Sequence, residues 1–213
     1  MMRDVEKFVK FCGSDFGKRV LEREVEYVYR ELRDCQKILD IGCGIGQFEQ
    51  RLSELNIVGL DSSGEMLEEA RKRSDGVFVI GDAENLEFSN ALFDAVFYVT
   101  TLEFVSDYKK AIQEAWRVTK SNGKLLVMTL NSDSEYFHEH MQRKDSYFKR
   151  VRHTNIREVR NHIARFYYVM KEEYFLWIRG KEIFDTSDKK YVSLYVIVGG
   201  RKQKIISVRE TFK

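Results

Sequence analysis

KILDIGCGIG, residues 37–46, joins a short apolar run to a loop that carries Gly42, Gly44 and Gly46. A helical pattern, FEQRLSEL (48–55), follows, so the loop stands between a strand and a helix. Glycines at such a place permit a tight turn and leave bare backbone for a ligand, and the helix start offers unpaired N–H groups. The next apolar run, NIVGL (56–60), ends at Asp61, 19 positions beyond Gly42. In a doubly wound sheet a carboxylate there meets the two hydroxyls of a ribose.

The rhythm continues in both directions. SGEMLEEARKRS (63–74) reads as a helix capped by Ser63, VFVIG (77–81) and FDAVFYV (93–99) as strands, and SDYKKAIQEAWRVT (106–119) as a helix. SNG (121–123) is a turn into the strand KLLVMTL (124–130). Apolar strands alternating with helices predict an α/β fold, a doubly wound, Rossmann-like and mostly parallel sheet with helices on both faces. Upstream, residues 16–33 place Leu21, Val25, Val28 and Leu32 on one helical face. Past Asn131, residues 133–164 read as basic helical material. RFYYVMKEEYFLWI (165–178) and KYVSLYVIVGG (190–200) then read as an antiparallel strand pair at the C-terminus. The chain is expected to form a single domain over 1–213: an N-terminal helical lid (1–33), a cofactor-binding core (37–131), a helical lid insert (133–164) and the strand pair (165–200). The basic tail 201–213 has no place in this scheme.

Composition narrows the class. With 43% hydrophobic residues the 213-residue chain is neither disordered nor fibrous. No apolar run approaches the ~18 residues of a membrane span, and MMRDVEKFVKF is no secretory leader, so a soluble cytoplasmic protein is expected. Three cysteines (Cys12, Cys35, Cys43) without metal-ligand spacing argue against disulfides and zinc. The four histidines (His138, His140, His153, His162) all fall in the insert, and no metal site is expected. Net charge is +2 but uneven: residues 1–131 carry 18 Lys and Arg against 23 Asp and Glu, residues 132–213 carry 18 against 11.

Electrostatics separate two ligand classes that suit the glycine loop and Asp61. A nicotinamide dinucleotide wants Gly-x-Gly-x-x-Gly with its diphosphate on the helix N-terminus. Here the third glycine comes one residue early, and Asp40, two residues before the first, would repel a diphosphate while favouring a cation. S-adenosyl-L-methionine, a ribose-bearing nucleoside ending in a sulfonium and an ammonium, answers both features.

With these residues in view, 37–131 resembles the class I S-adenosylmethionine-dependent methyltransferases of the small stand-alone type. ILDIGCGIGQF is similar to that family's glycine loop, GLDSSGEML to its ribose-binding strand end and GDAENLEF to its adenine-side motif. FDAVFYVTTLEFV is similar to its fourth strand and EAWRVTKSNGKLLVMTLN to the approach to its fifth; the usual Lys-Pro-Gly-Gly turn is here Lys120-Ser-Asn-Gly123. The resemblance implies that Gly42, Gly44 and Gly46 lie under the methionine moiety, with Asp40 holding its ammonium directly or through water. It implies that Asp61 takes the ribose hydroxyls, that Ser62 and Met66 flank the adenine, and that Asp82 and the Ala83 N–H bond its edge. Tyr98 and Val99 would line the methyl-bearing end.

Methyl transfer from a sulfonium needs alignment and a dry pocket, with a base only where the acceptor must lose a proton. Glu103 and Tyr98 are the candidate catalytic residues on position alone, and Cys43 reads as a packing residue. The chain has no proline, so the Asn-Pro-Pro-Tyr and Pro-Cys motifs of nucleic-acid methylases are absent. A small-molecule acceptor is therefore expected. The alternatives are an RNA methyltransferase using the region 143–165, with eight Lys and Arg against two acids, or a non-catalytic binder of the cofactor.

Overall fold

The structure, a computed structural model, describes residues 4–186 and 188–203. One eight-stranded sheet runs in the order β3-β2-β1-β4-β5-β8-β6-β7. Its parallel part holds β1 (Ile38–Ile41), β2 (Ile57–Asp61), β3 (Val77–Ile80), β4 (Phe93–Val99) and β5 (Thr119–Leu130). β8 (Val192–Arg201) pairs antiparallel with β5 and with β6 (Tyr167–Arg179), which turns back through the short β7 (Glu182–Ile183). The two C-terminal strands thus extend the parallel sheet as an antiparallel pair, with the later strand inserted next to β5.

Strand alternation gives the sheet two apolar faces. Val96, Tyr98, Leu125, Val127 and Ile197 face one cluster, into which α5 (Tyr108–Val118) and α7 (Ile156–Phe166) send Ile112, Ala115, Val159 and Ile163. Ala95, Phe97, Leu126, Met128 and Val196 face the other, with Val28 and Leu32 of α2 (Asp15–Leu32), Phe48 of α3 (Gln47–Arg51) and Tyr136 and Phe137 of α6 (Glu135–Gln142). α4 (Gly64–Arg71) lies over β2 and β3, its N-terminus capped by Ser63 Oγ, which accepts from the Met66 N–H. α1 (Asp4–Gly13) precedes α2; sequence patterning had not separated it as a helix.

Three local differences from the sequence reading have physical reasons. SNG (121–123) does not precede the strand as a turn: β5 runs through it, and the pairing with β4 slips between Phe93 and Ala95, a bulge that Gly123 accommodates because a Cβ there would stand 2.7 Å from the Asp94 carbonyl. α3 stops at Arg51, four residues short of the apolar pattern. The insert splits into α6, a 3-10 turn (Tyr147–Arg150) and α7, with irregular chain between them.

Candidate active site

The carboxyl ends of β1, β2, β3 and β4 open onto a cleft of about 1330 Å³. Gly42, Gly44, Asp61, Ser62, Met66, Asp82, Ala83 and Val99 all line it, so most of the cofactor set read from the sequence converges on one surface. Gly42 holds φ +83, and a Cβ there would stand 2.3 Å from the Thr101 side chain, so the loop reaches β4 only with bare backbone. The Gly44 N–H donates to Asp61 Oδ2 at 2.9 Å and the Ser63 N–H to Asp61 Oδ1 at 2.8 Å. One carboxylate therefore ties the glycine loop to the β2 end. Burial pushes its pKa up, against the bonds from Ser63, Gly44 and Ser62 that pull it down.

Two expected cofactor residues lie one layer deeper. Asp40 is 1% exposed and off the cleft surface, with Oδ2 unpartnered. It faces Glu49 of α3, and burial first, then the Glu49 and Asp61 charges, push its pKa well up, while burial also raises Glu49 to about 7. Gly46 also misses the cleft: its left-handed backbone starts α3, and a Cβ would stand 2.7 Å from the Phe78 ring. Cys43 is buried, and burial together with Glu49, Asp40 and Asp61 pushes its thiol far up, out of reach of thiolate chemistry.

Both candidate catalytic residues need correction. Tyr98 points from β4 to the face under α5, fully buried, its hydroxyl donating to the Ala111 carbonyl at 3.0 Å. Strand alternation is the reason: the neighbour that reaches the cleft is Val99. Tyr98→Phe should lower stability by ~1 kcal/mol and leave S-adenosylhomocysteine affinity unchanged, as denaturant unfolding and calorimetry would record. Glu103 is 2% exposed and off the cleft. Its Oε1 accepts from the Leu130 N–H, and its carbonyl accepts from the Arg152 and His153 N–H groups. It fastens the chain after β4 to the end of β5 and to the insert.

Sequence reasoning missed the far half of the cleft. There Glu24 of α2, Phe11, Tyr136, His140, Phe148, Leu176 and Ser193 form the wall. Glu24 is 7% exposed, has no hydrogen bond or ion pair among the described residues, and burial raises its pKa to about 8. Thr100 (φ +48) and Leu176 (φ +64) also border the cleft, and they are two of the three non-glycine residues with positive φ among those described. Strained backbone gathered on one surface marks a working site.

Residues 39–127 match the model of a family described as a methyltransferase domain. A demethylmenaquinone methyltransferase of Thermotoga maritima is 37% identical over 122 residues, 55% of this chain and 51% of that protein. An uncharacterised protein of Methanocaldococcus jannaschii is 32% identical over 148 residues, covering 68% of this chain and 70% of its own. The chain belongs to the class I S-adenosylmethionine-dependent methyltransferase family. It spans about half the length of the quinone-methylating relative. A solved Thermotoga maritima methyltransferase, described as a possible histamine N-methyltransferase, superposes with a TM-score of 0.79 over 94% of this chain and 97% of its own. At 24% identity that likeness speaks for the fold alone.

The cofactor that membership of this family implies is S-adenosylmethionine. The residues suit it: bare backbone at Gly42 and Gly44, the half-buried Asp61 at the β2 end, and an acidic layer of Asp40 and Glu49 beneath that favours a cation over a diphosphate. Among the described residues no helix is long and apolar enough to cross a membrane, and no group of three or more His, Cys, Asp or Glu could hold a metal.

Proposed function

We propose that this methyltransferase modifies a small-molecule acceptor seated in the half of the cleft walled by α2, α6, β6 and β8. When bound, S-adenosylmethionine supplies a methyl group on a positively charged sulfur, activated for in-line displacement. In this reading Gly42, Gly44, Asp61, Ser62, Met66, Asp82, Ala83 and Val99 hold the cofactor, with Asp40 and Gly46 supporting the loop from behind. Residues 37–131 are the cofactor core, and 1–33 and 133–164 are lids.

The observation that carries the reading is the shape of the cleft. Its ~1330 Å³ exceeds the roughly 300–1,000 Å³ of an ordinary ligand pocket and leaves room for a second, modest molecule. Its roof is built from the chain itself. Arg150 pairs with Asp4, the Lys7 ammonium donates to the Asp145 carbonyl at 3.2 Å, and the Phe104 and Tyr147 rings lie 4.8 Å apart. Such a partly roofed, largely apolar cleft limits the water around a displacement. The Thermotoga relative, whose name gives demethylmenaquinone as acceptor, supports a small-molecule class.

The basic run 143–165 counts less for RNA than its sequence suggests. Arg143, Lys144 and Arg150 border the cleft, whereas α7 packs Val159 and Ile163 under α5 and pairs Arg160 with Glu172 at 2.8 Å. The cations are thus split between two places and partly neutralised. Incubating the enzyme and methyl-labelled cofactor with cell extract should place label in the small-molecule fraction. Filter binding of total RNA should show no submicromolar affinity. Label in RNA, with binding that falls ~10³-fold between 50 and 200 mM salt as six phosphate contacts require, would reverse the assignment.

A further inference from the structure

We propose that the acceptor is a small amine, bound as its ammonium against the Glu24 carboxylate, which takes one proton from it so that the freed nitrogen lone pair attacks the methyl group and S-adenosylhomocysteine leaves. This rests on the small-molecule reading above and narrows it to one chemical class.

Glu24 sits in the buried stripe of α2, between Val20 and Leu21 on one side and Tyr27 and Val28 on the other. A charge in such a stripe is normally paired or absent. Here it lines the cleft, 7% exposed, and no described residue bonds to it. A buried carboxylate thus faces a largely apolar cleft with no partner among the described residues, and a ligand atom is what completes it.

The surrounding rings favour a cation. Tyr136 and His140 have centroids 4.4 Å apart, and His140 stacks on Phe148 at 4.6 Å and 28°. Burial and then Arg143 lower the His140 pKa to about 4, so at neutral pH the imidazole is uncharged and sets no like charge against an ammonium. The cationic side chains of Arg143, Lys144 and Arg150 are exposed on the rim, and Arg150 is paired with Asp4. Burial holds Glu24 mostly protonated at neutral pH in the empty cleft; an ammonium draws it into the ionised form, whereas a carboxylate acceptor would oppose that ionisation and a neutral acceptor would bring no countercharge. The mismatch with the other two classes provides the discrimination.

Calorimetry on the full chain, saturated with S-adenosylhomocysteine, tests this with 2-phenylethylamine and tryptamine against 2-phenylethanol and 3-phenylpropanoate. We expect the amines to bind at least tenfold more tightly than the alcohol or the acid. Glu24→Gln should erase that preference while leaving S-adenosylhomocysteine affinity within twofold. Equal or tighter binding of the alcohol or the acid, no binding of either amine, or a preference retained in Glu24→Gln would each overturn the proposal. If Glu24→Gln does not fold, the wild-type preference alone decides. Label in RNA from the extract experiment would instead overturn the small-molecule reading beneath it.

Discussion

Asp61→Ala is expected to lower affinity for S-adenosylhomocysteine by about 2–4 kcal/mol, roughly thirty- to a thousandfold. Two effects add. The ribose hydroxyls lose a charged acceptor, and charge-assisted bonds are about twice as strong as neutral ones. The glycine loop also loses its tie, because Asp61 accepts the Gly44 N–H at 2.9 Å and the Ser63 N–H at 2.8 Å. An untied loop must be ordered by the ligand, and that ordering is subtracted from affinity. Asp61→Asn separates the effects, since its single amide oxygen can keep one backbone bond while the charge is gone. Its loss should fall between wild type and alanine. Titration calorimetry of both variants decides, and unchanged affinity in Asp61→Ala would remove Asp61 from the cofactor site.

The fold was legible because its information is local. Each parallel strand is a short apolar run bounded by loop chemistry, and the glycine loop announces where β1 ends and α3 begins. Asp61 was legible for the same reason: its position at a strand end fixes its neighbours. Tyr98 and Glu103 failed because their roles depend on which face of β4 is buried and where the insert returns, and neither is local. The contact between the Glu103 carbonyl and the Arg152 N–H spans 49 positions and leaves no mark on the pattern of either segment. Glu24 did leave a trace. Reading Leu21, Val25, Val28 and Leu32 as the apolar face set Glu24 among the charges, yet Val25 is only half-buried and the true stripe runs through Val20, Leu21, Glu24, Tyr27 and Val28. A carboxylate at the helical spacing of the core residues was the available signal.

That carboxylate should be visible in stability as well as in binding. An acid whose pKa is raised in the folded state binds more protons folded than unfolded, so its contribution worsens as pH rises. For Glu24 the loss begins near the unfolded value of 4.5, grows to about 8 and is constant above. Such a rise corresponds to ~5 kcal/mol at ~1.4 kcal/mol per pH unit, and water in the cleft should reduce it to about 2–4 kcal/mol. Glu24→Gln keeps the shape and cannot ionise. In the ligand-free protein it should therefore be more stable than wild type by about 2–4 kcal/mol at pH 9, and within about 1 kcal/mol of it at pH 5. The neighbours do not confuse the comparison. Burial lifts the Cys12 thiol to about 12 and raises the Tyr136 phenol, while His140 is lowered to about 4, so none of the three changes charge appreciably between pH 5 and 9. Glu49, raised by burial to about 7, titrates in both proteins and cancels in the difference. Guanidinium unfolding at the two pH values is the measurement. A gain equal at both would make Glu24 a packing defect, and a loss at pH 9 would mean that the carboxylate already has a partner. A gain confined to high pH is the mark of a charge kept dry for a ligand, a cost in stability that binding offsets.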